Sequence, residues 1–185
     1  MRLFVGLDLP PEVIRAIDQL QSRLRPRAQL SWSPAANLHV TTKFIGEWPE
    51  ERLPLLKSKL AEVPVPAPFE IQIRGLGFFP GARSPKVFWA GIEAPPALTQ
   101  LACDTDAATA ALGLAREDRA YSPHLTLAQI RTPVPLQSLH DAIGKIESTH
   151  FGSFVADRFF LYLSRPGSGG SVYTKLAEFP FSKST

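Results

Sequence analysis

An α+β protein built from two copies of one β-α-β-α-β unit is predicted by three observations. The tetrapeptides His39-Val40-Thr41-Thr42 and His124-Leu125-Thr126-Leu127 stand at equivalent points of the two copies and hold two of the chain's four histidines. The offset between them also lays Asp8-Leu9-Pro10-Pro11 on Glu93-Ala94-Pro95-Pro96 and Phe69 on Phe154. Strand-like and helix-like patterns then alternate in the same order through residues 1–84 and 85–185. A repeated unit with one His-x-Thr per copy can set two acid–base groups on opposite sides of one ligand.

In the first copy, residues 2–8 alternate as a strand. Pro10-Pro11 opens a helix, since proline is tolerated in a first helical turn. Val13, Ile14, Ile17, Leu20 and Leu24 give that helix an apolar face. Residues 37–46 read as a strand, 50–61 as a helix and 68–78 as a strand rich in Phe and Ile. In the second copy, a strand from Lys86 to Ile92 precedes a helix opened by Pro95-Pro96, with Leu98, Leu101 and Leu112 apolar. Residues 122–131 form the strand bearing His124, and 136–147 a helix. Strands over 153–164 and 171–178 flank a hairpin loop at Gly167-Ser168-Gly169-Gly170-Ser171. Gly75-Leu76-Gly77 lacks the third glycine and the following helix of a dinucleotide loop.

Composition narrows the class further. At 185 residues, with 44% hydrophobic and 20% charged residues, the chain suits one globular domain of two lobes. No apolar run reaches the roughly 20 residues of a membrane helix. The start at Met1-Arg2-Leu3 has no basic leader, and the lone Cys103 excludes an internal disulfide. A cytoplasmic location is therefore expected, and a monomer is taken as the default. A net charge of +3 permits an anionic substrate, but no Lys/Arg run suggests a nucleic-acid tail.

Along a strand, residues i and i+2 share a face. His39 therefore points with Thr41, and His124 with Thr126, while Val40 and Leu125 face a core. Metal binding fails on ligand count: no Asp or Glu accompanies either motif on the histidine face, and a catalytic zinc usually takes three protein ligands. No serine elbow offers a nucleophile. Paired acid–base catalysis fits. Imidazoles titrate near neutral pH, and displacement at phosphorus needs a base on water and an acid on the leaving oxygen. Threonine hydroxyls can donate to the non-bridging oxygens. Metal-free phosphodiester chemistry is the expectation.

The residues carrying this pattern resemble the 2H phosphoesterase superfamily, and within it the bacterial RNA 2′,3′-cyclic phosphodiesterases, historically called 2′-5′ RNA ligases. The resemblance rests on Met1–Pro10, on Trp32-Ser33-Pro34 leading to Asn37–Gly46, and on Ser122–Ala128. It implies two antiparallel sheets flanking a central cleft that holds the histidines, and that no cofactor takes part. It also implies hydrolysis of an RNA 2′,3′-cyclic phosphate end, or of a small cyclic nucleotide, to a 2′-phosphate. His39 would be the proton donor to the departing 3′ oxygen, His124 the base on water, and Thr41 and Thr126 the phosphate holders. The same steps would join a cyclic end to a 5′-hydroxyl as a 2′-5′ linkage. The family commonly carries Arg where this chain has Gln129; Arg131, of the same strand parity, is the replacement candidate.

Lys43, two past Thr41, is expected on the phosphate face, and Arg119 and Tyr121 near the cleft mouth. Phe78, Phe79, Tyr121 and Tyr173 are candidates for base stacking. A nucleotide-binding module without turnover is the competing reading; it would tolerate loss of either histidine, where an enzyme would not.

Overall fold

The computed structural model describes residues 1–183. It contains nine strands, β1 (Arg2–Leu7), β2 (Ser31–Trp32), β3 (Val40–Glu47), β4 (Phe69–Phe79), β5 (Val87–Glu93), β6 (His124–Gln129), β7 (His150–Ala156), β8 (Arg158–Gly167) and β9 (Gly170–Pro180), among the described residues. Four α-helices accompany them: α1 (Pro11–Leu24), α2 (Leu53–Ala61), α3 (Pro96–Ala110) and α4 (Gln137–Gly144). None of these helices is long and apolar enough to cross a membrane. The strands form two antiparallel sheets, ordered β3-β1-β8-β9 and β2-β6-β5-β4-β7, and the α+β class and two-sheet architecture are as expected.

The repeat is visible in the core. Pro11 and Pro96 occupy the first turns of α1 and α3, where a missing N–H costs nothing. The buried positions of α1 (Val13, Ile17, Leu20, Gln21, Leu24) recur at the repeat offset in α3 as Leu98, Ala102, Thr105, Asp106 and Thr109. Each helix nevertheless crosses over. α1 follows β1 of the first sheet but packs on β7 of the second, with α4 beside it. α3 follows β5 of the second sheet and packs on β3 of the first, with α2 beside it. Phe88 and Phe159 are fully buried, and each large apolar side chain so placed adds about 1.5–3 kcal/mol.

The two lobes are thus woven from both sequence halves. β4 belongs to the first half but lies in the second sheet, and β8 and β9 of the second half complete the first sheet. The single strand expected over 153–164 is two, β7 and β8, which lie in different sheets. The chain changes sheets at Asp157, whose carbonyl accepts a hydrogen bond from Phe181 N at 2.7 Å. The short β2 was not expected from sequence; two residues are too few for a period-two pattern to show.

One irregularity decides which residues face the site. Pairing of β1 with β3 slips between Val5↔Lys43 and Gly6↔Thr41, leaving Thr42 as a bulge. Pairing of β5 with β6 slips between Phe88↔Ala128 and Trp89↔Thr126, leaving Leu127 as a bulge. Thr42 and Leu127 are equivalent positions of the repeat. A Cβ on Gly6 would lie 2.7 Å from Val40 O, so only glycine lets β1 close against the start of β3 here.

Candidate active site

The two motifs meet where the sheets meet. β3 is an edge strand of the first sheet, β6 lies next to the edge of the second with only the two-residue β2 outside it, and β3 and β6 touch. His39 sits immediately before β3 and His124 opens β6. Their local geometry is the same. His39 Nδ1 lies 2.9 Å from Asn37 O, and His124 Nδ1 lies 2.8 Å from Ser122 O, in each case the carbonyl two residues back. A carbonyl oxygen only accepts, so each Nδ1 carries a proton and donates it. Each Nε2 is left to take a proton when the ring is neutral and to give one when it is charged.

The surroundings of the rings differ. His39 stacks on Phe4 (centroids 4.3 Å apart, 27° between planes), with Tyr173 edge-on at 5.3 Å and Tyr162 stacked beneath Phe4. Burial in this aromatic bed lowers the His39 pKa below its usual 6.5, partly opposed by the Asn37 carbonyl, because an apolar surround disfavours the charged ring. His124 has Phe79 edge-on at 5.0 Å, and Phe79 leans on Trp89 at 5.1 Å. Trp89 needs Gly77 beneath it, where an added Cβ would lie 2.2 Å from the indole. Phe4 and Trp89 are themselves related by the repeat offset. Sequence reading missed both, although an aromatic at equivalent points of a repeat was a usable signal.

Thr41 and Thr126 follow their histidines and are half-buried on the same face, paired with Gly6 and Trp89 of the neighbouring strands. Beyond the bulges the parity changes, and Lys43 is the residue this displaces. Period two across 39–43 placed it on the histidine face; the extra residue at Thr42 turns it to the helix side. There it is 4% exposed, and Nζ donates to Asp106 Oδ1 at 2.8 Å, Glu117 Oε1 at 2.8 Å and Ala115 O at 3.0 Å. An ammonium has three protons and all three are committed. Burial alone would lower the Lys43 pKa, but the hydrogen bonds and charges of Asp106 and Glu117 prevail and hold it above the ordinary value. Lys43 is therefore not a phosphate ligand.

After the bulge the open face carries Phe44, 67% exposed, in the first motif, and exposed Gln129 in the second. Arg131 is exposed beside it, its guanidinium donating to Gln129 Oε1 at a loose 3.4 Å. Tyr121 does not offer its hydroxyl to the cleft: it donates to Thr41 O at 2.8 Å, and burial raises its pKa. Arg119 is exposed in the loop before it. Of the other aromatic candidates, Phe79 and Tyr173 flank the histidines, whereas Phe78 stacks on the core residue Phe88 at 5.0 Å. Among the described residues, no three His, Cys, Asp or Glu side chains are grouped closely enough to hold a metal ion.

A two-lobed α+β protein with one anchored histidine per lobe at the seam of two sheets has the architecture of the two-histidine phosphoesterases. Residues 7–89 match the family model described as LigT like Phosphoesterase. RNA 2′,3′-cyclic phosphodiesterase of Methanothermobacter thermautotrophicus is 30% identical over 97% of this chain and 98% of its own length. The Thermus thermophilus protein of the same name is 32% identical over 97% of this chain and 89% of its own. Among solved structures, Escherichia coli LigT in apo form superposes with a TM-score of 0.78 at 28% identity, covering 97% of this chain and 96% of that one. The same protein complexed with 3′-AMP gives 0.76 at 26% identity, covering 98% of both. The chain belongs to the LigT-like phosphoesterases of the 2H superfamily, in the family of RNA 2′,3′-cyclic phosphodiesterases.

Proposed function

We propose that this protein hydrolyses RNA 2′,3′-cyclic phosphate ends to 2′-phosphates by acid–base catalysis between His39 and His124, with no metal ion. The observation that carries the reading is the matched pair of imidazoles, each with Nδ1 bound to a backbone carbonyl and Nε2 left for substrate. His124 Nε2 takes a proton from water as its oxygen attacks phosphorus. The bond from phosphorus to O3′ breaks, and His39 gives its Nε2 proton to O3′. The rings end with exchanged protonation and are reset through solvent. Thr41 and Thr126 donate to the non-bridging oxygens, whose charge grows in the transition state. Arg131, exposed beside Gln129, is assigned on this reading to a substrate's neighbouring phosphates. A 5′-hydroxyl in place of water would give a 2′-5′ linkage by the same steps. The names of the relatives support RNA as substrate. On this reading the protein acts on RNA in the cytoplasm, as a monomer.

The test is a short RNA ending in 2′,3′-cyclic phosphate, incubated with the protein in EDTA. Full turnover to a 2′-phosphate, with the phosphate read by mass and phosphatase sensitivity, is expected. Loss of turnover in EDTA that a divalent ion restores would remove the metal-free mechanism. Nucleotide binding without turnover would favour the binding-module reading.

Burial of His39 bears on its role. In the free protein the aromatic bed disfavours its proton, so a proton-donating His39 must gain that proton's stability from the substrate's negative charge. The His39 pKa, followed by imidazole proton NMR, is therefore expected to rise when inorganic phosphate or 3′-AMP is added. An unchanged or lowered value in the complex would assign the donor role elsewhere.

A further inference from the structure

Gln21, 0% exposed, is the one polar residue of the buried face of α1, and Asp106, 7% exposed, is the one ionisable residue of the buried face of α3. Buried polar groups are retained where their hydrogen bonds are made, and the partners here follow one plan. Gln21 Nε2 donates to Ser33 O at 2.8 Å and to Leu127 O at 3.2 Å. Ser33 lies in the segment that leads into the first motif, and Leu127 is the bulge residue of the second. Asp106 Oδ1 accepts from Glu117 N at 3.2 Å and from Lys43 Nζ at 2.8 Å. Glu117 lies in the segment that leads into the second motif, and Lys43 directly follows the bulge of the first. Gln21 and Asp106 are equivalent positions of the repeat. Each is steadied by an arginine, Arg25 to Gln21 Oε1 at 3.1 Å and Arg116 Nε to Asp106 Oδ2 at 2.7 Å.

We propose that Gln21 and Asp106 are positioning residues, a symmetric pair of clasps that hold the approach segment of each histidine against the strand of the other. This rests on the reading of His39 and His124 as a catalytic pair. The two histidines belong to different sheets, and the only backbone ladder between their segments is the two-residue pairing of β2 with β6. The clasps supply that registration from behind the cleft. The Gln21 clasp is reinforced by backbone: Ser33 N donates to Leu127 O at 2.9 Å, and β2 pairs with β6. The Asp106 clasp has no such pairing and is reinforced by side chains, Lys43 to Ala115 O and Glu117, and Tyr121 to Thr41 O. The segment leading to His124 thus depends more heavily on its clasp.

Gln21→Met, Asp106→Asn and Tyr121→Phe, each in the full chain, test this by hydrogen exchange and steady-state turnover. Gln21→Met is expected to raise amide exchange selectively in residues 31–38, and Asp106→Asn in residues 115–123, with α1 and α3 still protected. Because misplacement by about 1 Å can cost a hundredfold, kcat per folded molecule should fall about tenfold or more for Asp106→Asn. A smaller drop is expected for Gln21→Met, and KM should stay within about twofold for both. Tyr121→Phe removes one hydroxyl without emptying the core; it should give a drop of about threefold and keeps the test decisive if Asp106→Asn does not fold. Unaltered exchange in both segments, a uniform rise through the helices, or unchanged kcat would overturn the inference. A wild-type protein with no turnover would sink the proposed function instead, and the exchange pattern would still decide for or against the clasps.

Discussion

His39→Ala and His124→Ala are each expected to lower turnover of a 2′,3′-cyclic phosphate end by about 10²–10⁴-fold, the usual contribution of a positioned general acid or base. Affinity for 3′-AMP should change only a fewfold, since the threonines and the aromatic walls remain. The double variant should be little worse than the single ones, because an acid and a base acting in one step are not additive. The pH profile separates the roles. With both histidines present, rate rises with pH as the base loses its proton and falls as the acid loses its own. If His39 is the acid, His39→Ala keeps the acidic limb of its residual rate and loses the alkaline one; His124→Ala does the reverse. Burial holds free His39 below 6.5. The pH dependence of kcat/KM, which reports the free protein, should therefore place the His39 ionisation lower than that of kcat does. Interchanged limbs would exchange the two roles while leaving the chemistry standing. A single variant with full turnover would remove that residue from the mechanism.

Lys43→Met is expected to be the most damaging substitution for stability. Removing one partner of a buried ion pair costs about 3–5 kcal/mol, because the other charge stays buried and short of partners; for a chain of this size that is a fall in Tm of about 6–20 °C. Asp106 retains Arg116, which places the effect toward the lower end. The pH dependence follows from the shifts. Burial opposes the charge on Asp106, but Lys43, the Glu117 N–H and Arg116 together hold its pKa below 3.8. Its stabilisation is therefore complete above the ordinary value and is lost as pH falls through the lower folded one. Lys43, held above 10.5, contributes fully below that pH and loses its contribution only as pH rises past its folded value. Wild type and Lys43→Met should accordingly differ most between these limits and converge in strong acid. Melting curves across pH check this. Equal melting temperatures at neutral pH would mean that the pair contributes nothing to the fold.

How far the site was legible follows from the period of the backbone. His39, Thr41, His124 and Thr126 could be placed on one face because each pair lies within an unbroken stretch before its bulge. Lys43 could not, since a single extra residue at Thr42 reverses Lys43 and Phe44, up to the second slip of β3 on β1 at Ile45. Nothing in Thr42-Lys43-Phe44 announces a bulge; it comes from the way β3 lies on β1. The slip at Thr42 exposes Phe44, and the equivalent slip at Leu127 places Ala128 inside. Tyr121 read as a cleft-mouth aromatic because its hydroxyl partner, Thr41 O, lies on the strand of the other motif, in the opposite half of the chain.

By itself the amino-acid sequence determined the internal repeat, the helix starts at Pro11 and Pro96, the apolar faces and the two His-x-Thr units. All are local patterns, written in short spacings or in direct self-similarity. Only the tertiary structure decided that α1 and α3 exchange sheets, that β7 and β8 part company at Asp157, and that Gln21, Lys43, Asp106 and Tyr121 bind one half-site to the other. Those outcomes depend on which surfaces bury each other and where buried polar groups find partners, and these partners lie far apart in the chain.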